Sequence, residues 1–316
     1  MRGWPIAALL LSMVTPAAAQ AQAQAPAGTA ATVMLPFAPP TGRKLRYETT
    51  QIRDGEAGKE RYTIVREVQF VPAGDGGYRM TSRAIEAFTD AAGGRGDNFR
   101  LSTALLADIE IGFRIDRTGK VVSVENSDAV WSRLPAIRDA QLARSKSPDG
   151  QVLVRRVFDA LIALPLPARE RMLREDPERL LAFAGRQAGA SVQTSETRET
   201  PTPFGGTIPV DIASGWIDVD ADSARYRSTT RSGGPELDRR IADLARQLSA
   251  ASDTAERTKL ERELAAMGTL SFDETVDYTV SRHWGLITAS QSIKRIRSAK
   301  GEQVVEERRR FGDWVS

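Results

Sequence analysis

Residues 45–80 read LRYETTQIRDGEAGKERYTIVREVQFVPAGDGGYRM, and this stretch decides the fold class. Leu45, Tyr47 and Thr49 alternate with polar residues in a first run. Tyr62, Ile64, Val68 and Phe70 do so in a second, and Tyr78 and Met80 open a third. A spacing of two puts each set on one face of an extended strand. Asp54-Gly55 and Gly74-Asp75-Gly76-Gly77 lie between the runs and supply turn chemistry. The pattern predicts an antiparallel meander with one face buried.

Toward the C-terminus the meander gains a hairpin, Ile109–Ile115 and Val121–Val124, across Asp116-Arg117-Thr118-Gly119. The period then changes. Asn126 is placed to cap a helix carrying Val130, Trp131, Leu134 and Ile137, which Pro135 must kink or split. Ser147-Pro148 opens another helix, whose Leu153, Val154, Val157, Phe158, Leu161 and Ile162 form a broad apolar face. That face predicts the main helical contact of the sheet. Pro165 and Pro167 end it, and one or two short helices complete a helical block over 126–184.

Strand patterns return at Ser191–Thr197, Thr207–Asp220 and Ala224–Thr230. Between 235 and 267, Leu237, Ile241, Leu244, Leu248, Leu260 and Leu264 recur at helical spacing, and Asp253 with Glu256 forms a capping box, so the segment reads as a helical-hairpin insertion. Strands near Leu270–Arg282, Gly285–Ile296 and Gln303–Trp314 close the chain. The expected class is α+β: an antiparallel curved sheet or unclosed β-barrel with a central helical block, in one domain over 41–316. The hairpins at Phe113–Val121 and Tyr278–Ile287 echo one another, as two turns sharing an arginine and a glycine will.

Met1-Arg2, the apolar run Pro5–Val14 and Ala17-Ala18-Ala19 follow the order of a secretory signal peptide, predicted over 1–19 with cleavage before Gln20. Its apolar run is too short to span a bilayer, and no later run approaches about 18 apolar residues. Residues 20–40, rich in Ala, Gln, Pro and Thr, read as a disordered tether. The expected location is the periplasm or outside the cell. Without cysteine the chain has no disulfide, thiol chemistry or site for a lipid anchor. With 44 basic and 41 acidic residues the net charge is only +3, so no nucleic-acid partner is indicated.

Sites of chemistry are scarce. His283 is the sole histidine and no G-x-S-x-G accompanies it, so no catalytic constellation, metal site or cofactor is expected. Asp218, Asp220 and Asp222 alternate like a calcium loop, but Ser223 replaces its glycine and Thr229 its terminal glutamate. In a strand that spacing is a solvated face. Gly93-Gly94-Arg95-Gly96-Asp97 lacks the lysine of a phosphate loop and reads as a flexible loop. Lys294, Arg295, Arg297 and Lys300, with Arg308, Arg309 and Arg310, read as protection of a strand edge.

The runs Leu45–Ile52 and Tyr62–Val71, the hairpin Phe113–Val124 and the closing hairpin Tyr278–Ile296 resemble the unclosed β-barrel of the periplasmic lipoprotein-carrier (LolA/LolB-like) superfamily. The likeness is one of pattern over about half the chain. It implies a sheet curled round a helix, whose inward side chains line a cleft for acyl chains or another hydrophobic molecule. Phe70, Met80, Phe113, Phe158 and Trp216 are the candidate wall residues. The alternative is a structural protein of the envelope that docks a protein partner through residues 235–267 or a sheet edge.

Overall fold

The computed structural model describes residues 32–55, 58–107, 109–145, 148–189, 194–201, 207–235, 237–239, 242–243, 268–299 and 301–312. The elements run β1 (Val33–Met34), β2 (Lys44–Gly55), β3 (Gly58–Pro72), β4 (Tyr78–Thr89), α1 (Gly93–Leu106), β5 (Glu110–Ile115) and β6 (Val121–Glu125). Helices α2 (Ser127–Trp131), α3 (Leu134–Arg144), α4 (Pro148–Ile162) and α5 (Leu166–Leu180) follow. Then come β7 (Gln187–Ala188), β8 (Thr194–Pro201), β9 (Thr207–Val219), β10 (Ser223–Gly233), β11 (Ser271–Ser281), β12 (Ile287–Ser298) and β13 (Gly301–Gly312).

Eleven strands form one curved antiparallel sheet in the order β6-β5-β4-β3-β2-β13-β12-β11-β10-β9-β8. It is two meanders joined where β2 pairs with β13, with Phe311 opposite Tyr47 and Val305 opposite Arg53. The sheet does not close, because β6 and β8 are its two ends. As these strands are joined through the helical block, the chain between them must cross the full width of the sheet. The class is α+β, with β1 and β7 pairing as a second, two-stranded sheet.

Alternation sets the register. Leu45, Val68, Phe70, Met80, Phe113 and Phe311 form the larger apolar cluster on the concave face. Ala224, Val276, Tyr278, Val280 and Ile287 form its neighbour, on the β10–β12 side. Many charged positions between them face outward, where the convex face carries cross-strand pairs such as Arg225–Asp218 at 2.8 Å, Arg227–Asp277 at 2.6 Å and Arg297–Asp273 at 2.8 Å.

Several expectations are corrected. Pro135 does split the first helix, lying in the first turn of α3. Asn126, however, adopts a left-handed backbone (φ 50°) and its side chain does not cap α2. It accepts from the Gly112 amide and donates to the Glu110 carbonyl, tying the helix start to β5. The Gly93–Asp97 stretch is not a loop but the first turns of α1, whose Phe99 meets the Tyr62 ring edge-on at 5.3 Å. Residues 33–37, expected as tether, are anchored through alternate side chains: Leu35 is fully buried, and Phe37 lies 5.1 Å from Tyr78. Gly285 makes this possible. Its φ is 68°, and a Cβ there would run into the Pro36 carbonyl.

The main helical contact of the sheet is α5, not α4. Leu180, Leu181 and Phe183, at and just beyond the end of α5, enter the two sheet clusters. The apolar stripe of α4 is spent on other helices, where Phe158, Leu161 and Ile162 pack on Trp131, Leu134 and Ile137. No helix among the described residues is long and apolar enough to cross a membrane. Residues 1–19, and the 235–267 helices apart from their first residues, lie outside the described residues. Leu237 is the exception, fully buried with Ile208, Val210, Ile212 and Leu270.

Candidate functional site: the concave face under α5

The sequence around α5 explains how it sits. Pro165 stands at its N-cap and Pro167 in its first turn, where no intrahelical N–H bond is lost. Pro177, whose missing N–H would otherwise donate within the helix, lies in its last turns, and the helix ends at Leu180 with Leu181 as its C-cap. Phe183 then enters an aromatic cage, 5.1 Å from Trp216, 4.9 Å from Tyr226 and 5.5 Å from Tyr278. At its other margin α5 covers the short edge strand β6, with Arg174 donating to the Val122 carbonyl. The opposite edge, β8, carries Glu196, Arg198 and Glu199. Both ends of the sheet are thus blunted against further strand pairing.

Between the apolar clusters the contact of α5 with the sheet is ionic. Arg309 donates to Asp176 (3.0 Å), to Glu307 (2.8 Å) and to the Tyr47 hydroxyl (3.1 Å). Arg179 joins Glu307 (3.2 Å) and Glu175 (3.0 Å), and Arg66 reaches Asp176 at 3.4 Å. Burial pushes the Asp176 carboxyl upward, but Arg66, Arg309 and Arg179 outweigh it and hold the pKa below the ordinary 3.8. Burial also opposes the Arg309 charge, yet Tyr47, Glu307 and Asp176 keep its pKa well above the usual arginine value. Three cations face three carboxylates, so the network is neutral and joins α5 to the sheet without attracting ions. Beside it lies a crevice of about 10 Å³, lined by Tyr47, Arg179, Ser290 and Phe311, with space for about one water molecule.

A second polar group lies lower on the same face. Glu274 and Lys294 are opposed across β11 and β12, and both are buried. Ser292 donates to Glu274 Oε1 at 2.6 Å, and the Lys294 ammonium stands 5.3 Å from the centre of the Phe272 ring. Burial lowers the Lys294 pKa, with Glu274 and Glu307 acting against that shift.

The expected wall residues separate into three groups. Phe70, Met80 and Phe113 come together on neighbouring strands of the larger cluster. Trp216 lies in the aromatic cage. Phe158 packs among the helices. The buried charges were missed because the basic runs were read as edge protection, whereas β12 and β13 are central strands. The signal was present: period two makes Arg309 face opposite to Arg308 and Arg310, and the same side as Phe311.

The other motifs resolve into local structure. Asp218 pairs with Arg225, while Asp220 accepts from the Asp222 and Ser223 amides. Asp222 meets exposed His283 at 3.3 Å. Among the described residues no group of acidic and histidine side chains is arranged to hold a metal ion.

No family model and no curated protein sequence matches the chain. Among solved structures, one of lipid–protein interactions in lipovitellin is similar at a TM-score of 0.35 and 10% identity, covering 86% of this chain and 26% of that one. The MucA/MucB complex of Pseudomonas aeruginosa is similar at a TM-score of 0.14 and 8% identity, covering 86% and 94%. The chain therefore spans about a quarter of the lipovitellin chain. Both likenesses are too slight to carry an argument. The resemblance to lipoprotein carriers extends to the unclosed antiparallel sheet, and the comparisons add no support for membership of that family.

Proposed function

We propose that this is an exported envelope protein that binds a hydrophobic or lipidic molecule against the concave face of its sheet, beneath α5. The observation that carries the reading is the way α5 is held. Two apolar clusters on an unclosed sheet are plugged by Leu180, Leu181 and Phe183, while the helix between is joined to the sheet by ion pairs. Buried ion pairs contribute little net stability, because desolvation offsets their attraction. A helix held in this way can lift from the sheet at modest cost, and the apolar surface it leaves is what a ligand would cover. The small crevice beside Arg309 fits that sequence of events: the ligand takes the place of the plug rather than filling a ready-made cavity. In this reading Phe70, Met80, Phe113 and Trp216 are wall residues, and Phe158 is not.

The test is mass spectrometry of organic-solvent extracts of the protein, purified without detergent from the envelope fraction, with denatured protein as control. A stoichiometric lipid or hydrophobic metabolite is the expected result. A ligand-free protein that also takes up no added fatty acid or phospholipid would overturn the reading.

A further inference from the structure

A row of inward-facing residues crosses the lower part of the concave face. Thr230 on β10 is opposite Glu274 on β11, Glu274 opposite Lys294 on β12, Lys294 opposite Val305 on β13, Val305 opposite Arg53 on β2, and Arg53 opposite Glu60 on β3. Gln303 faces the same way, one inward position further along β13. In this row three side chains have an atom that is buried and lacks a hydrogen-bond partner: the acceptors Glu274 Oε2 and Gln303 Oε1, and the donor Arg53 Nε. Glu274 as a whole is only 8% exposed. A carboxylate oxygen left unmatched at that depth costs several times what a made hydrogen bond contributes. β11 and β2 are three strand spacings apart, about 14 Å, so these long side chains can reach one small group between them.

The unmatched atoms select the ligand. Glu274 Oε2 and Gln303 Oε1 call for donors, which a phosphate does not supply, and Arg53 Nε calls for an acceptor, which an ammonium does not supply. A neutral polyol offers donors to Glu274 and Gln303 and an acceptor to Arg53 with no net charge. The Arg53 guanidinium already stacks 4.2 Å from the centre of the Tyr62 ring, which holds its donors in place.

We infer that Glu274, Gln303 and Arg53 form a binding site for the neutral, hydroxyl-rich headgroup of an amphipathic ligand, a glycosyl or polyol group. This rests on the proposal that the concave face takes the apolar part of that ligand. The experiment is calorimetric titration of the full chain below the critical micelle concentration with dodecyl maltoside, dodecylphosphocholine and maltose alone. Gln303→Met and Glu274→Met are the variants, and the first leaves the buried charges untouched. The maltoside is expected to bind more tightly than the phosphocholine. Gln303→Met should weaken it about threefold to tenfold and Glu274→Met about tenfold or more, with phosphocholine binding unchanged. Equal binding of both dodecyl compounds, indifferent to Gln303, would overturn the headgroup site and leave the apolar reading standing. Binding of maltose alone that Gln303→Met weakens would support the site and remove the apolar reading. Binding of none of the three would overturn both.

Discussion

Arg309 Nη1 and Asp176 Oδ1 lie 3.0 Å apart, though 133 positions separate them in the chain. The contact joins the middle strand of the sheet to a helix that covers its concave face, so the state of this pair sets how firmly α5 is held.

Asp176→Asn should destabilise the protein by about 1–2 kcal/mol in urea unfolding near neutral pH. That is less than a fully buried pair would lose, because 35% of the Asp176 side chain is open to solvent. The folded-state pKa is depressed, so the contribution is fully present above the unfolded value near 3.8 and is lost as pH falls through the lower folded value. The wild type should therefore lose stability between about pH 5 and pH 2, more steeply than the variant.

Arg309→Met should cost more, about 2–3 kcal/mol, because it takes away the partner that Asp176 and Glu307 share and leaves each with one arginine, Arg66 and Arg179. Combined with Asp176→Leu, it should recover part of that loss. The coupling read from the double-mutant cycle measures the latch.

Tyr278 is nearly buried, and desolvation pushes its hydroxyl up to about 12. The unfolded chain releases this proton near pH 10 and the folded chain does not, so stability falls as pH rises from about 10 to 12. Tyr278→Phe should remove about 2–3 kcal/mol of that alkaline loss in unfolding curves measured across the range.

Gly285→Ala should destabilise by about 1–3 kcal/mol, from the left-handed backbone and the collision with Pro36. Hydrogen exchange should then quicken at Leu35 and Gly185, whose amides donate across the small second sheet.

Leu180→Ala and Phe158→Ala should each cost about 2–5 kcal/mol, but in different places. The first should raise exchange in β2–β6 and β13, whose inward residues share its cluster. The second should act on 127–162 and leave the sheet protected.

Most strands were legible, since the alternation from Leu45 to Met80 and the turn residues fix both face and register. What the sequence could not show is which strands are central. The pairing of β2 with β13 brings together residues more than 250 positions apart, as Tyr47 and Arg309 are. Without it, Arg308–Arg310 resemble an edge. The choice between α4 and α5 was hidden for a related reason. An apolar stripe such as that of α4 requires a partner but does not name it, and here the partner is Trp131 and its neighbours. The contact of α5 with the sheet rests on Leu180, Leu181 and Phe183 and on ion pairs in a helix otherwise rich in charge, so no apolar period announced it. Of the candidate site, Phe70, Met80, Phe113 and Trp216 were readable as inward strand positions. The polar row of Glu274, Lys294 and Arg53 was not, since charged residues at inward positions look like outward ones until the register is known.

Trp216 gives the most direct test of the ligand reading, because it lines the aromatic cage that Phe183 fills. Titration of the full chain with a doxyl-labelled stearate should quench tryptophan fluorescence saturably. Replacing both Trp216 and Trp284, which packs on the larger cluster, by Phe should abolish most of the saturable part, and Trp131→Phe should leave it intact. Quenching that does not saturate, or that survives when both Trp216 and Trp284 are replaced by Phe, would contradict binding at the concave face.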